Sequence, residues 1–180
     1  MSKMRYGYEF NNLLVPGLIL LILSLLYLIT TALQRQGEQV IPEDSIPYVA
    51  LATLDGRALP LAETLTGNRA LLSFINPDCD HCRYEVEALC SDPERPSDLP
   101  VVFVSGAPVD SLRALAEPWL EVSDIYFAHD SAWQVSNQLG VRSFPTTFLY
   151  RADGTLLTRV EGEAKPSYLY GLFAKATAME

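Results

Sequence analysis

Two cysteines separated by two residues form the part of the sequence with the clearest chemistry. Cys79 and Cys82 lie in the segment FINPDCDHCRYEVEAL, where an apolar run changes into a charged, helix-like one. Such a pair can exchange disulfides, bind a metal or close a loop as a permanent disulfide, because thiolates attack disulfides and also ligate metals. The spacing alone leaves these three kinds of site open.

The segments around this pair alternate between predicted strands and predicted helices. The strands are predicted at 48–56, 69–75, 99–106 and 124–130 and the helices at 80–90, 109–120 and 131–140. A hairpin at 146–162 and a closing helix at 165–177 follow. This alternation predicts a sheet with parallel strands and helices on both faces, to which the hairpin adds antiparallel strands.

The order of these elements resembles that of a known family. A strand, then Cys-x-x-Cys at the start of a helix, and much later the run VRSFPTTFLYRADG, resemble the thioredoxin fold. Over residues 48–175 the chain is most similar to the membrane-anchored TlpA/ResA-type thiol–disulfide oxidoreductases. The resemblance implies a thioredoxin-like α/β fold with a central mixed β-sheet flanked by helices, over 48–180. It also implies a redox-active disulfide between Cys79 and Cys82 and no cofactor.

The chemistry of disulfide exchange explains the spacing. One thiolate must attack, and a second thiol must be close enough to release the mixed disulfide. The first sulfur would sit at the helix N-terminus, where unpaired N–H groups favour the thiolate, and the second would lie about one turn deeper. We therefore assign Cys79 as the nucleophile and Cys82 as the resolving cysteine.

Pro145 is the second part of the predicted site. The resemblance implies that this proline is cis and that its loop faces the cysteine pair. The backbone of Phe144 could then pair with an extended segment of the substrate protein. The missing N–H of Pro145 removes a donor that would otherwise need a partner near the sulfurs.

Three features depart from the thioredoxin pattern. Ser73 occupies the strand position where thioredoxins carry a buried acid, so a carboxylate that helps Cys82 to lose its proton must come from elsewhere, or water must serve. Asp78 replaces an aromatic residue before the first cysteine, and Asp80-His81 replaces Gly-Pro. The two acids should raise the pKa of the thiolate and a protonated His81 should lower it, so we expect these three residues to tune the redox chemistry.

The remaining cysteine and histidine argue against a metal site. A structural zinc site usually needs four ligands, whereas the chain has only three cysteines and two histidines, with His129 far from His81 in sequence. Cys90 lies eight residues beyond Cys82, about 12 Å along the predicted helix, which is too far for a disulfide within that helix. We predict a buried apolar role for Cys90 and no metal.

Residues 13–33 contain no charged side chain and are long enough to span a membrane. A cleaved signal peptide is the alternative, but the following ITTALQRQG lacks a convincing cleavage site. Lys3 and Arg5 precede the span, which places the N-terminus inside. We therefore predict a cytoplasmic tail at 1–12, a transmembrane anchor at 13–33, a tether at 34–47 and a catalytic domain in the periplasm or outside the cell.

The formal net charge of −9 argues against nucleic acid as a partner. The sequence predicts an enzyme anchored in the cytoplasmic membrane that reduces disulfides in extracytoplasmic proteins and is recharged by a membrane electron donor such as a thiol-reductant carrier. Some TlpA/ResA-type proteins serve cytochrome c maturation, and that use is open here. The alternatives are a DsbA-like disulfide oxidant, which also has a histidine before its second cysteine, and a non-catalytic thioredoxin-like interaction module.

Overall fold

A computed structural model of the protein describes residues 9–37 and 44–177. The helices are α1 (Glu9–Gly37), α2 (Leu61–Leu65), α3 (Asp80–Ser91), α4 (Val109–Ala116), α5 (Gln134–Gln138) and α6 (Pro166–Thr177). The strands are β1 (Ala50–Thr53), β2 (Ala58–Pro60), β3 (Ala70–Phe74), β4 (Val101–Ser105), β5 (Ile125–His129), β6 (Thr146–Tyr150) and β7 (Leu156–Glu161). Short 3₁₀ turns lie at Glu117–Trp119 and Ser131–Trp133.

The strands form one mixed sheet in the order β2-β1-β5-β4-β3-β6-β7. β3, β4 and β5 are parallel neighbours, and the other pairs are antiparallel. Strands β3, β4 and β6 are buried at every residue, as strands covered on both faces must be. The predicted thioredoxin-like architecture, with parallel strands at the centre and a late hairpin at one edge, is confirmed.

Helices cover both faces of this sheet. The alternation of side chains along the strands divides the core into two clusters. One contains Leu71, Val101 and Phe103 together with residues of α3, α4 and α6. The other contains Leu72 and Val102 together with residues of α2 and α5. Because α3 lies on the first face and follows directly after β3, its N-terminus is held at the C-terminal end of β3.

The N-terminal segment and the folded domain form two compact units, one up to Val40 and one from Ile41. The predicted span 13–33 lies within the single helix α1, whose side chains from residue 15 to residue 30 are exposed. Over the described residues, no helix combines the length and hydropathy that crossing a membrane requires. Residues 1–8 of the predicted tail lie outside the described residues.

The predicted tether at 34–47 is too long at both ends. Helix α1 continues to Gly37, and residues 38–43 lie outside the described residues. Ser45 forms a β-bridge with Thr155, and Ile46 is buried in the second core cluster while its N–H donates to the carbonyl of Gly154. The folded domain therefore includes residues before 48, because an apolar side chain there reaches the core.

Two local features differ from the predictions. β2 and α2 were not predicted, because their segment is short and its apolar residues show no sustained period. The helix predicted at 131–140 is divided: Trp133 adopts a left-handed backbone conformation with φ of 57°, and α5 begins only after it. The buried carboxylate of Asp130 accepts the N–H groups of Val135 and Ser136 and so starts the helix there.

Candidate active site

Cys79 occupies the N-terminal boundary of α3. The chain leaves β3, turns through Asn76, and the N–H of Cys79 donates to the carbonyl of Asn76 at 3.0 Å. Cys79 itself has an extended backbone, and its carbonyl accepts the N–H of Arg83 at 3.1 Å, which is the first bond of the helix. This half-buried thiol lies at the positive end of the helix dipole, where a thiolate is favoured.

Cys82 lies one turn further along α3 and is fully buried. Its sulfur accepts the N–H of Asn76 at 3.4 Å. Burial raises the pKa of the Cys82 thiol from an ordinary value of 9.0 to about 12, although the Asn76 N–H opposes this shift. Cys79 and Cys82 are both free thiols here, and a hydrogen bond with Cys79 also raises the pKa of Cys82. The two thiols therefore lie together but in different environments.

The loop before β6 faces this pair. The peptide bond between Phe144 and Pro145 is cis, and the Cys79 thiol donates to the carbonyl of Phe144 with a sulfur–oxygen distance of 3.8 Å. The ring of Phe144 lies against Trp133, with 5.0 Å between the ring centroids. The structure thus brings four of the predicted site residues together: Cys79, Cys82, Phe144 and Pro145.

The ionisable residues next to Cys79 in sequence contact different partners. Asp80 forms an ion pair with Arg83 on the surface of α3. The Nδ1 atom of His81 lies 2.7 Å from the carboxylate of Glu163, in the loop after β7. Asp78 is exposed, and its N–H donates to the side chain of Asn76. His81 therefore faces a carboxylate from a distant part of the chain, which was not predicted.

A buried carboxylate beneath the cysteine pair was also not predicted. Glu85 is 1 % exposed and accepts hydrogen bonds from Ser73 Oγ at 3.0 Å, Thr147 Oγ1 at 2.8 Å and the N–H of Ala164 at 2.9 Å. Burial raises the pKa of Glu85, whereas these three bonds lower it. The charge of Glu85 in turn raises the pKa of the Cys82 thiol.

The position of Glu85 explains the departure at Ser73. In thioredoxins this strand carries the buried acid. Here β3 carries the hydroxyl of Ser73, which donates a hydrogen bond to the carboxylate of Glu85 on α3. The sequence contains a signal for this: Glu85 follows Cys82 by three residues and precedes Leu89 by four. It therefore lies within the apolar stripe of the helix, where an acid must be buried.

The described residues contain no group of three or more His, Cys, Asp and Glu side chains that could hold a metal ion. His129 ends β5, on a different element from His81. Cys90 is buried in the first core cluster on α3, and burial raises the pKa of its thiol to about 12. The structure therefore places Cys90 in the apolar core, as predicted.

Comparisons with known proteins agree with this fold. A family model for the thioredoxin-like domain matches residues 63–177. A secreted disulfide oxidoreductase of Mycobacterium tuberculosis, homologous to DsbE of E. coli, is 22 % identical with a TM-score of 0.60, covering 71 % of this chain and 96 % of its own. A proposed thiol:disulfide interchange protein DsbE of Chlorobium tepidum is 24 % identical with a TM-score of 0.60, covering 75 % and 94 %. A comparison with curated protein sequences finds no match.

Proposed function

The chain belongs to the thioredoxin-like domain family, and from this premise we propose that it is a thiol–disulfide oxidoreductase that reduces disulfides in partner proteins through Cys79 and Cys82. One observation carries the proposal. The half-buried Cys79 thiol lies at the start of α3 against the Phe144 carbonyl, and the fully buried Cys82 thiol lies directly behind it. A permanent structural disulfide needs neither a partly accessible first sulfur nor the facing loop.

In the first step, the Cys79 thiolate attacks one sulfur of the substrate disulfide. A mixed disulfide forms between Cys79 and that sulfur, and the second substrate sulfur leaves as a thiolate that takes a proton. The helix N-terminus favours the attacking thiolate. The carbonyl of Phe144 is an acceptor that an extended substrate segment can use once it replaces the Cys79 thiol, and Pro145 contributes no N–H that would compete.

In the second step, Cys82 attacks the Cys79 sulfur of the mixed disulfide, so that the Cys79–Cys82 disulfide forms and the bond from Cys79 to the substrate breaks. The substrate sulfur leaves as a thiolate that takes a proton from the solvent, which completes reduction of the substrate. Cys82 must first lose its proton, although burial holds the pKa of this thiol at about 12. We assign Glu85 as the group that takes up this proton. The negative charge then moves from Glu85 to Cys82, so the low-dielectric interior never holds both charges at once. The oxidised enzyme is recharged by two electrons from a membrane thiol-reductant carrier.

The residues around Cys79 tune this chemistry. Asp78 and Asp80 oppose a thiolate at Cys79, and His81 favours it when protonated. The Arg83 side chain offsets part of the charge of Asp80, because the two form an ion pair. Their combined effect on the redox potential sets whether the enzyme mainly reduces or, as in DsbA-like proteins, mainly oxidises. We propose reduction, as the TlpA/ResA resemblance implies.

We further propose that residues 13–33 anchor the protein in the cytoplasmic membrane, with the catalytic domain in the periplasm or outside the cell. The absence of charge from this segment and the exposed apolar side chains of α1 support the anchor. Extraction of cell membranes with alkaline carbonate tests it: an anchored protein stays with the membrane, and a soluble one is released. A partner among the cytochromes c, whose haem-attachment cysteines must be reduced, is one use open to such an enzyme.

Substrate trapping tests the proposed function. The variant Cys82→Ser should accumulate mixed disulfides between Cys79 and its partners, which mass spectrometry identifies after non-reducing electrophoresis. The double variant with serine at both positions is the matched control and should trap nothing. Trapping by Cys79→Ser as efficiently as by Cys82→Ser would reverse the roles. Failure of the wild-type chain to reduce insulin or small disulfides would refute the activity.

A further inference from the structure

A cleft of about 800 Å³ opens on the surface between α3 and α4 with its following 3₁₀ turn. We call it the α3–α4 cleft. Its lining includes Asp78, Asp80, Tyr84 and Glu87 from the α3 side and Leu115 and Trp119 from the α4 side. The cleft is therefore apolar along one wall and acidic along the other.

The α3–α4 cleft is lined by both sequence neighbours of the nucleophile. Asp78 and Asp80, which flank Cys79 in sequence, are part of its lining. The Phe144 carbonyl, by contrast, approaches Cys79 from the loop before β6, and this loop does not line the cleft. A substrate protein whose cysteine is bonded to Cys79 can therefore place the chain on one side of that cysteine along Phe144 and the other side in the cleft.

The charges in the cleft are not balanced. Its lining holds three carboxylates and one cation, and that cation, Arg83, is already paired with Asp80. Asp78 and Glu87 are exposed, and among the described residues neither has an ion-pair partner. Uncompensated carboxylates beside an open cleft attract a cation from a binding partner.

The aromatic side chains of the cleft favour the same kind of ligand. Tyr84 is 62 % exposed, and Trp119 on the opposite wall of the cleft is half-buried. The faces of tyrosine and tryptophan rings attract the charged groups of lysine and arginine, whose aliphatic stems pack along apolar surface.

We propose that the α3–α4 cleft binds a segment of the partner protein that carries a lysine or arginine three or four residues from its reactive cysteine. This rests on the proposed function, and it identifies the class of substrate. The spacing follows from α3: Glu87 lies eight residues beyond Cys79, which is about 12 Å along the helix axis. An extended chain covers that distance in about four residues at roughly 3.3 Å per residue.

Two matched peptide disulfides test the proposal with the full-length chain in a non-ionic detergent. They are identical except for lysine or glutamate at the fourth position from the cysteine. The neutral bis(2-hydroxyethyl) disulfide, which is too small to fill the cleft, reports the basal chemistry. We expect kcat/KM to favour the lysine peptide by about three- to tenfold, as for one or two exposed charge pairs. Glu87→Lys should remove this preference and leave reduction of the small disulfide within about twofold of wild type.

The matched control is Glu63→Lys, which makes the same charge change at an exposed glutamate on α2, outside the cleft. If Glu63→Lys reduces the preference as much as Glu87→Lys does, the net charge of the protein discriminates and the cleft proposal is wrong. Equal kcat/KM values for the two peptides, or a preference for the glutamate peptide, also overturn it. In each case, reduction of the small disulfide still shows that the proposed function holds.

A binding measurement keeps the test independent of catalysis. The same peptides with serine in place of cysteine are titrated with the full-length chain and followed by fluorescence anisotropy. The lysine peptide should bind more tightly than the glutamate peptide, and Glu87→Lys should remove this difference. If all the peptides bind equally weakly to the wild type and to both variants, the cleft is not a docking site, whatever the chain does to disulfides.

Discussion

Selective alkylation of the three thiols tests the central asymmetry of the site. The perturbation is iodoacetamide added to the fully reduced protein between pH 7 and pH 9. Cys79 is half-buried at the start of α3, whereas Cys82 and Cys90 are 0 % and 7 % exposed. We expect Cys79 to be modified first and Cys82 and Cys90 to be protected for as long as the domain stays folded.

The pKa values set the size of this protection. Only the thiolate reacts, and at pH 8 a thiol with the ordinary pKa of 9.0 is about one-tenth ionised. A pKa of about 12 reduces that fraction to about one in ten thousand for Cys82 and for Cys90. The reaction should therefore be about a thousandfold slower than for an unperturbed thiol, before any steric exclusion is counted.

The assay pairs light and heavy reagent. Aliquots are quenched over time, unfolded, labelled with isotopically heavy iodoacetamide and digested, and mass spectrometry gives the light fraction at each cysteine. The chain in denaturant is one control, since all three thiols should then react at similar rates. The variant Cys79→Ser is the other, and it should show no fast-reacting thiol at all.

Reaction of Cys82 in the folded protein at pH 8 within tenfold of its rate in the denatured chain would refute this asymmetry. Such a result would mean that the sulfur is neither desolvated nor shielded, and the division into an attacking and a resolving thiol would lose its basis. Rapid reaction at Cys90 alone would instead show that α3 opens locally near its C-terminal end.

Substitutions at three further positions should have effects of known direction. Burial raises the pKa of Glu85, so its contribution to stability is full below pH 4.5 and is lost as pH rises. Glu85→Gln, whose amide oxygen can still accept the Ala164 N–H, should therefore gain stability relative to wild type in urea unfolding as pH rises above 4.5. Glu85→Ala should instead cost about 3 kcal/mol, because it orphans the Ala164 N–H and opens a cavity. Asp130→Ala should lower stability by about 2–4 kcal/mol in thermal unfolding, since this buried carboxylate accepts three hydrogen bonds, two of them from Ser136. Cys90→Ala should leave the rate of insulin reduction within about twofold of wild type, because this thiol lies in the core and outside the site.

Much of the fold could be predicted because each element has its own signal. The buried strand β4 is a run of valine and phenylalanine, and the C-terminal hairpin has Asp-Gly at its turn. The division of 131–140 could not be predicted, because it depends on a tertiary contact. Gly106 allows the ring of Trp133 to approach its backbone closely, and the sequence near Trp133 does not contain that information.

The cysteine pair and the proline loop could be predicted from spacing and order, but their partners could not. The link between His81 and Glu163 joins residues 82 positions apart, and no local pattern indicates it. Glu85 is a different case, since its place in the apolar stripe of α3 is visible in the sequence. An acid in such a stripe indicates a buried hydrogen-bond network, and here that network lies beneath the resolving cysteine.

One short loop connects the two sides of the site. The three consecutive residues 162–164, between β7 and α6, each contact a different part of it. The first donates its N–H to the Pro145 carbonyl at 2.8 Å, the second pairs with His81 through its carboxylate, and the third donates its N–H to Glu85. Two of these contacts hold the active-site helix and one holds the proline loop. The separation between the nucleophilic sulfur and the carbonyl that faces it therefore depends on this loop as well as on the sheet. Changes in its length or charge should alter the reactivity of the site even though none of its residues reacts.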